Sequence, residues 1–510
     1  MTESILFWLK NDFTYLGIAQ KLKNNFNFEI FGIIDGSKPL MNFFNSQKIV
    51  NFNKTWNFYQ HVKSKHPKPD QEYLTKFEKK YNLNLQKYIS NEPLFSNSNN
   101  FYKFSSQEIF SIIQHECELF ESIIEYANPS FFVAKDSWFF ETEWEPLHHF
   151  QLFYDLCLAK KIKILLLNQP NIGNKSIISQ HKHAIDYLES LDNITDFKKI
   201  TDFKHYLKSY DLSKQNKDYV KRNNLSVAKK ISKFSSKNHS SQYFMQGRTK
   251  VSLLWFYFKS YFLKKSRKKF IDKNSDRRID SKKQYVYFPL SVDDEKEILF
   301  SDPLSTDQLK IIKNVAKYLP KGYQLFVKEH PNQLNHNWRP VSFYKELLDI
   351  PNVKLIHPNV STEKLFENCS LVITISGSSG FEATFYKKPS ILFSDLGYSI
   401  LSSVNVVKTI DDLSDSIQHS ISTKIDENEL SKYISELEKN CFEFDSYAFY
   451  DAQQNYFLDN DIENFQEFSI KIKSYLNKNS TIFEKLSIEF HKKILQHNSK
   501  NENSSTHLVD

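Results

Sequence analysis

Glycine is scarce in this chain of 510 residues: there are 9, alongside 15 prolines, 4 cysteines and 3 methionines. So little glycine and proline excludes collagen-like and linker-like classes. The cysteines, Cys117, Cys157, Cys369 and Cys441, stand far apart. No CxxC pair exists to hold zinc or run redox chemistry, and structural disulfides are not expected. The most apolar run, around Val251 to Phe258, falls well short of the ~20 residues that a membrane-crossing helix needs. The opening MTESILFWLKNDF has no basic region leading into a long apolar stretch, so no secretory signal is read there. These absences give a cytoplasmic protein without a transmembrane anchor as the expectation.

Aromatic residues are abundant, with 45 Phe and 27 Tyr, and hydrophobic residues reach 40%. That is enough apolar material to offset the ordering entropy of a folded chain, so wholesale disorder is excluded. The length implies two to four domains, or two large ones. The formal net charge of +8 is unevenly spread: Lys221 to Lys283 holds 19 Lys or Arg against three acids, Asp272, Asp276 and Asp280. Within it, VSLLWFYFKSYFLKKSRKKF (251–270) runs from an aromatic half into a basic half. Such a segment can lie in an anionic membrane interface, or it can be an interdomain helix whose rings pack on a neighbouring domain. Nucleic acid is not expected, because no RNP-like, helix-turn-helix or zinc-finger pattern accompanies the charge.

Strand, helix and strand follow one another from residue 4: SILFWL, a helical stretch from about Thr14 to Asn24, then FEIFGII. PSFFVA and KIKILLLN flank the helical EPLHHFQLFYDLCLAKK as a second such unit. Continuous apolar strands of this kind belong to a parallel sheet covered on both faces. The pattern restarts at QYVYFPL and continues through QLFVKEHP, NVKLIHP and LVITISGSSGFEATFYKKPSILF, with helical segments between. The reading is an α/β chain of two doubly wound domains. The boundaries read are 1–220 for the first, 221–283 for a basic aromatic-rich insertion, 284–425 for the second, and 426–510 for C-terminal helices with a polar tail from about Asn498.

Ligands of open parallel sheets bind beyond the carboxyl ends of the strands. Three ends in the second domain qualify. Lys328, Glu329, His330 and Pro331 follow YQLFV, where a histidine can donate to a phosphate or a base. Ser376, Gly377, Ser378, Ser379 and Gly380 follow LVITI and lead into FEATFYKK. A loop of small residues before a helix exposes backbone N–H groups and hydroxyls to an anion such as a nucleotide phosphate. Glu382, in the first turn, can accept from ribose hydroxyls. Phe393, Ser394 and Asp395 form the third end. Neither a Walker A pattern nor GxGxxG is present, which disfavours a P-loop NTPase and a common NAD site. In the first domain Asn11 and Asp12 follow the first strand, and Asp136, Glu141, Glu143 and Glu145 follow PSFFVA. Asp12, Asp136 and Glu143 are the candidates for a general base toward an acceptor hydroxyl. Asp459, Asn460 and Asp461 imitate a DxD metal motif far from any predicted sheet edge, and no metal site is assigned.

The stretches YFPLSVDDE (Tyr287–Glu295), DQLKIIKNVAKYLPKGYQLFVKEHP (Asp307–Pro331) and LVITISGSSGFEATFYKKPSILF (Leu371–Phe393) together resemble surface and capsule polysaccharide biosynthesis proteins. That resemblance implies a GT-B-like fold, two Rossmann-like domains facing a central cleft with C-terminal helices, the nucleotide-sugar donor held mainly by the second. In the similar capsule Kdo transferases and bacterial sialyltransferases, a His-Pro motif and a Ser- or Thr-rich motif grip the CMP moiety. By that likeness His330 and Ser376 to Ser379 hold the donor, and Glu382 the ribose. The capsule Kdo transferases tend to carry a Gln-containing loop where this chain has Phe288, Pro289 and Leu290, so the donor nucleotide stays open. The implied activity is transfer of a sugar from a nucleotide-sugar to a glycan or lipid-linked acceptor, without metal or other cofactor. Of the two roles open to residues 251–270, the membrane one would place the enzyme at the inner face of the cell membrane, beside a lipid acceptor. A nucleotide-sugar 2-epimerase, a CDP-alcohol phosphotransferase and a non-catalytic scaffold of a polysaccharide assembly complex remain alternatives.

Overall fold

The computed structural model describes residues 3–506 apart from 63–67, 97–98, 136–144, 171, 182–183, 210–230, 232–241, 281, 294–298, 301–306, 331–332, 334–338 and 458–464. The first sheet is built from β1 (Ser4–Leu9), β2 (Glu29–Ile34), β3 (Lys54–Asn57), β4 (Phe131–Lys135), β5 (Lys163–Asn168) and β6 (Lys175–Ser179). β1 to β5 are parallel, and β6 joins β5 antiparallel. Every residue of β1 is buried because helices cover both faces. Alternation along the strand divides them: Leu6 and Trp8 enter one core, Ile5, Phe7 and Leu9 the other. The helix Ser106–Ala127 seals the first of these cores, and its start is fixed by a reciprocal capping box between Ser105 and Glu108.

The second sheet comprises β7 (Tyr285–Pro289), β8 (Gln324–Lys328), β9 (Val353–Ile356), β10 (Leu371–Thr374), β11 (Ser390–Leu392) and β12 (Val404–Val406). It is parallel throughout, in the order β12-β11-β10-β7-β8-β9. Both doubly wound domains expected from the alternation of strands and helices are therefore present.

The chain crosses between the domains more than once. Ile177, Ile185, Leu191, Ile200 and Phe203, which follow the first five strands, are buried in a core of the second domain. The helix Glu427–Asn440 also buries Leu430, Tyr433, Ile434 and Leu437 there. β13 (Phe442–Glu443) then extends the first sheet beyond β6, and the helices that follow pack on the first domain. Gly17 makes room for one of them: a Cβ there would lie 2.6 Å from the Phe483 ring. The polar tail expected from Asn498 is part of the helix Ser480–Thr506, tied down where Asn498 Nδ2 donates to Glu3 Oε1 at 2.8 Å.

Candidate functional site

In each sheet the strand order reverses beside the first strand: at β1 and β4 in one, at β7 and β10 in the other. Such reversals open a crevice at the carboxyl ends, which is where a ligand fits. In the second domain the turn after β10 occupies that place. Ser376 and Gly380 are buried, while Gly377, Ser378 and Ser379 are half-buried. Tyr398 supports the turn from below, its hydroxyl donating to the Gly377 carbonyl at 2.6 Å. Gly380 is required by contact: a Cβ there would sit 2.7 Å from Tyr398 Oη and 3.0 Å from Leu392 Cδ2. Ser378 Oγ donates to Glu382 Oε1 at 2.9 Å, so one turn serine is committed to the acid one helical turn later. Burial raises the Glu382 carboxyl above its usual range, and the Ser378 hydrogen bond opposes that rise.

The end of β8 lies across β7 from this turn. With adjacent strands about 4.8 Å apart, the two ends are about 10 Å apart, the scale of a nucleotide. His330 is half-buried there. Lys328 and Glu329 are instead engaged inside the domain. Lys328 Nζ donates to the Val360 carbonyl at 2.7 Å and to Thr362 Oγ1 at 2.8 Å, and burial lowers its pKa to about 8. Glu329 is ion-paired with Arg339 and accepts from Tyr344 Oη at 2.6 Å. Arg339 also bonds Asp293 at 2.8 Å, so one guanidinium ties the end of β8 to the segment after β7. Pro331 lies outside the described residues. At the third end, Ser394 Oγ is buried without a hydrogen-bond partner among the described residues, and Asp395 accepts from Ser399.

In the first domain Asp12 sits at the strand reversal but is nearly enclosed. Its carboxylate accepts from the Thr14 N–H at 3.1 Å and pairs with Lys135 Nζ at 3.2 Å. The helix Ser446–Phe457 lies over it: Gln453 bonds the Asn11 carbonyl at 2.9 Å and the Phe13 N–H at 3.0 Å, and Tyr450 presents its ring to Lys135. Asp136, Glu141 and Glu143 are outside the described residues, as are Asp459 to Asp461. Sequence reasoning missed Asp35, at the end of β2. Asp35 Oδ2 receives Trp8 Nε1 at 2.9 Å and meets Lys10 Nζ at 3.1 Å and His149 Nε2 at 3.0 Å. Burial alone would raise this carboxyl, but Lys10 and His149 outweigh it and hold it well below the usual range. Glu145, from the acidic cluster after β4, joins through Lys10 at 3.6 Å. Asp35 directly follows the buried strand β2, as Asp12 follows β1 three residues on, and applying the strand-end rule to β2 would have found it. Tyr398 and Arg339 had no comparable signal, because each reaches its partner only through the fold.

Residues 192–402 match the profile of the family described as capsule polysaccharide biosynthesis protein. The match spans β7 to β11 and bears out the likeness carried by Tyr287–Glu295, Asp307–Pro331 and Leu371–Phe393. No curated protein matches the sequence. Among solved structures, the beta Kdo 2,7 transferase KpsC of Thermosulfurimonas dismutans aligns at 12% identity and TM-score 0.29, covering 62% of this chain and 79% of that one. UDP-GlcNAc 2-epimerase of Neisseria meningitidis aligns at 12% identity and TM-score 0.24, covering 90% of this chain and 100% of that one.

Proposed function

We propose that the protein is a glycosyltransferase of capsular or surface polysaccharide biosynthesis, of GT-B type, which takes its sugar from a nucleotide-sugar held by the second domain. The match of residues 192–402 to the capsule family carries this reading, since it includes the small-residue turn at the strand reversal. There the backbone N–H groups of the turn Ser376 to Gly380 and the hydroxyls of Ser376 and Ser379 would take the donor phosphate, with His330 about two strands away on the nucleotide. Glu382, held by Ser378, would face the ribose. Binding the leaving nucleotide with fixed dipoles stabilises the charge that develops as the sugar departs, so the reaction as proposed runs without a metal ion. The glycan or lipid-linked acceptor would approach from the first domain. Asp12, Asp136 and Glu143 stay as the proposed bases, whereas Asp35, committed to Trp8, Lys10 and His149, does not join them.

Calorimetric titration of the purified chain with CMP, CDP, UMP, UDP and GDP, with and without Mg²⁺, tests the donor site. Selective binding of one nucleotide is expected, unchanged by Mg²⁺ and weakened about tenfold by Ser376→Ala, the cost of about one good hydrogen bond to an anion. No binding by any nucleotide overturns the reading. Inversion of the sugar in UDP-N-acetylglucosamine without an acceptor would identify an epimerase instead.

A further inference from the structure

The helix Lys250–Asn274 divides lengthwise into two faces. Leu253, Phe256, Ser260, Lys264, Arg267 and Ile271 recur at steps of three and four and are buried or half-buried. Both ends of that stripe are fastened. Phe256 packs on Phe101 of the first domain at 5.2 Å between centroids, and Ile271 enters the core of the second. Asp272 is bonded to His357 at 2.8 Å, and Thr249 caps the start by accepting from the Ser252 N–H at 3.1 Å. The helix is thus a strap held by both domains.

Its outward face is apolar for about three turns. Val251, Trp255, Phe258 and Phe262 are 77%, 66%, 55% and 54% exposed, with Leu254 and Tyr261 beside them. The rings form one patch, Trp255 stacking on Phe258 at 5.7 Å and Phe258 meeting Phe262 edge-on at 4.9 Å. Packing of these rings on a neighbouring domain, one of the two roles open to the segment, is therefore not what the fold does with them. Further along the same face come Lys265, Lys268, Lys269 and Lys273, all exposed. The helix carries eight Lys or Arg against one acid, Asp272.

We infer that this helix is a peripheral membrane anchor, its aromatic turns seated among the headgroups and upper acyl chains of a bilayer and its lysines over anionic phospholipid. Both halves of the face are then answered by one partner. A protein partner fits less well, since interface cores are depleted of lysine. A second copy laid parallel on the same face would set lysine against lysine, and one laid antiparallel along its length would bury the lysines against the aromatic turns. Nor does the helix cross the bilayer: among the described residues no helix is long and apolar enough to do so. Because the strap is clamped by both domains, docking it would fix the orientation of both sheets over the membrane. The inference goes beyond the donor reading and does not depend on it.

Flotation of the full chain with phosphatidylcholine vesicles, with and without phosphatidylglycerol, tests it. The wild type is expected to float with the anionic vesicles and to be released by salt, as a screened attraction requires. Trp255→Ser combined with Phe258→Ser should lower binding at least about tenfold, and Lys265→Gln with Lys269→Gln should remove the preference for phosphatidylglycerol. Circular dichroism verifies that both variants are folded. Wild type that stays in solution, or variants that float equally well, overturns the anchor. A wild-type dimer that the Trp255 and Phe258 substitutions dissociate, with no vesicle binding, would assign the face to a second copy. Vesicle binding needs no nucleotide and nucleotide titration needs no vesicle, so failure of either reading is visible without the other.

Discussion

The two sheets reverse strand order at the same topological position, yet different chemistry fills the two ends. Behind the first, the buried network uses histidine. His149 meets Asp35, and its neighbour His148 lies between Glu92 at 3.0 Å and Glu116 at 3.2 Å, with Tyr243 beside it. Behind the second, the buried cation is Arg339, shared by Glu329 and Asp293. Arginine stays charged throughout the accessible pH range, whereas histidine does not. The second end also presents a turn of small residues where the first presents carboxylates. One topology therefore holds enclosed, ion-paired side-chain charge at one end and a half-buried turn of small residues at the other.

Removing the arginine is the severest way to break this comparison. Arg339→Met leaves Glu329 buried opposite an apolar chain and should cost about 3–5 kcal/mol in denaturant unfolding. Lys10→Met should cost much less, because Lys10 is partly exposed and Asp35 keeps His149 and Trp8. Equal losses would show that the two networks are alike in weight.

The histidine makes the next largest effect depend on pH. Burial opposes the charge on His148, but Glu116 and Glu92 outweigh it and raise its pKa from 6.5 to about 10. A group raised on folding contributes its full stability below the unfolded value and loses it as pH climbs through the folded one. Stability should therefore fall by several kcal/mol as pH climbs from 6.5 to 10. His148→Gln should flatten that slope, while Arg339→Met should leave it intact. Urea unfolding at stepped pH decides the matter; a slope unchanged by His148→Gln would remove the histidine as its source.

The turn supplies the smallest effect. Gly380→Ala pushes a methyl group against Tyr398 Oη and Leu392 and should cost about 1–3 kcal/mol. It should also weaken nucleotide binding, since the turn must shift. Tyr398→Phe in the same chain should recover part of the loss by removing the oxygen, which a double-mutant cycle measures. No coupling between the two positions would mean that the turn moves independently of Tyr398.

Both sheets were legible because a strand covered on two faces is a continuous apolar run, and SILFWL, YVYFP and LVIT stand out as such. The shortest edge strands were not, although the edge strand β9 was read from NVKLIHP. β3, β12 and β13 are short, and what makes them strands is a neighbour to pair with. The small-residue turn was readable for a local reason, two glycines three residues apart in a glycine-poor chain. The engagement of Lys328 and Glu329 was not, because their partners Thr362, Arg339 and Tyr344 come from other segments. Nor could sequence choose between the two fates of the aromatic rings at 251–262. Periodicity shows that a helix has two faces, but only packing shows which face the rest of the protein covers.

By itself, then, the sequence determined the alternation of strands and helices, the small-residue turn and the basic aromatic segment, all of which depend on neighbours within a few residues. The tertiary structure alone decided that Asp12 lies beneath a helix more than 430 residues later, that Asp35 gathers Lys10 and His149, and that Trp255 and Phe258 face outward. Those facts rest on contacts between distant segments, and the energy of such contacts is set by what the whole fold buries rather than by any one stretch of chain.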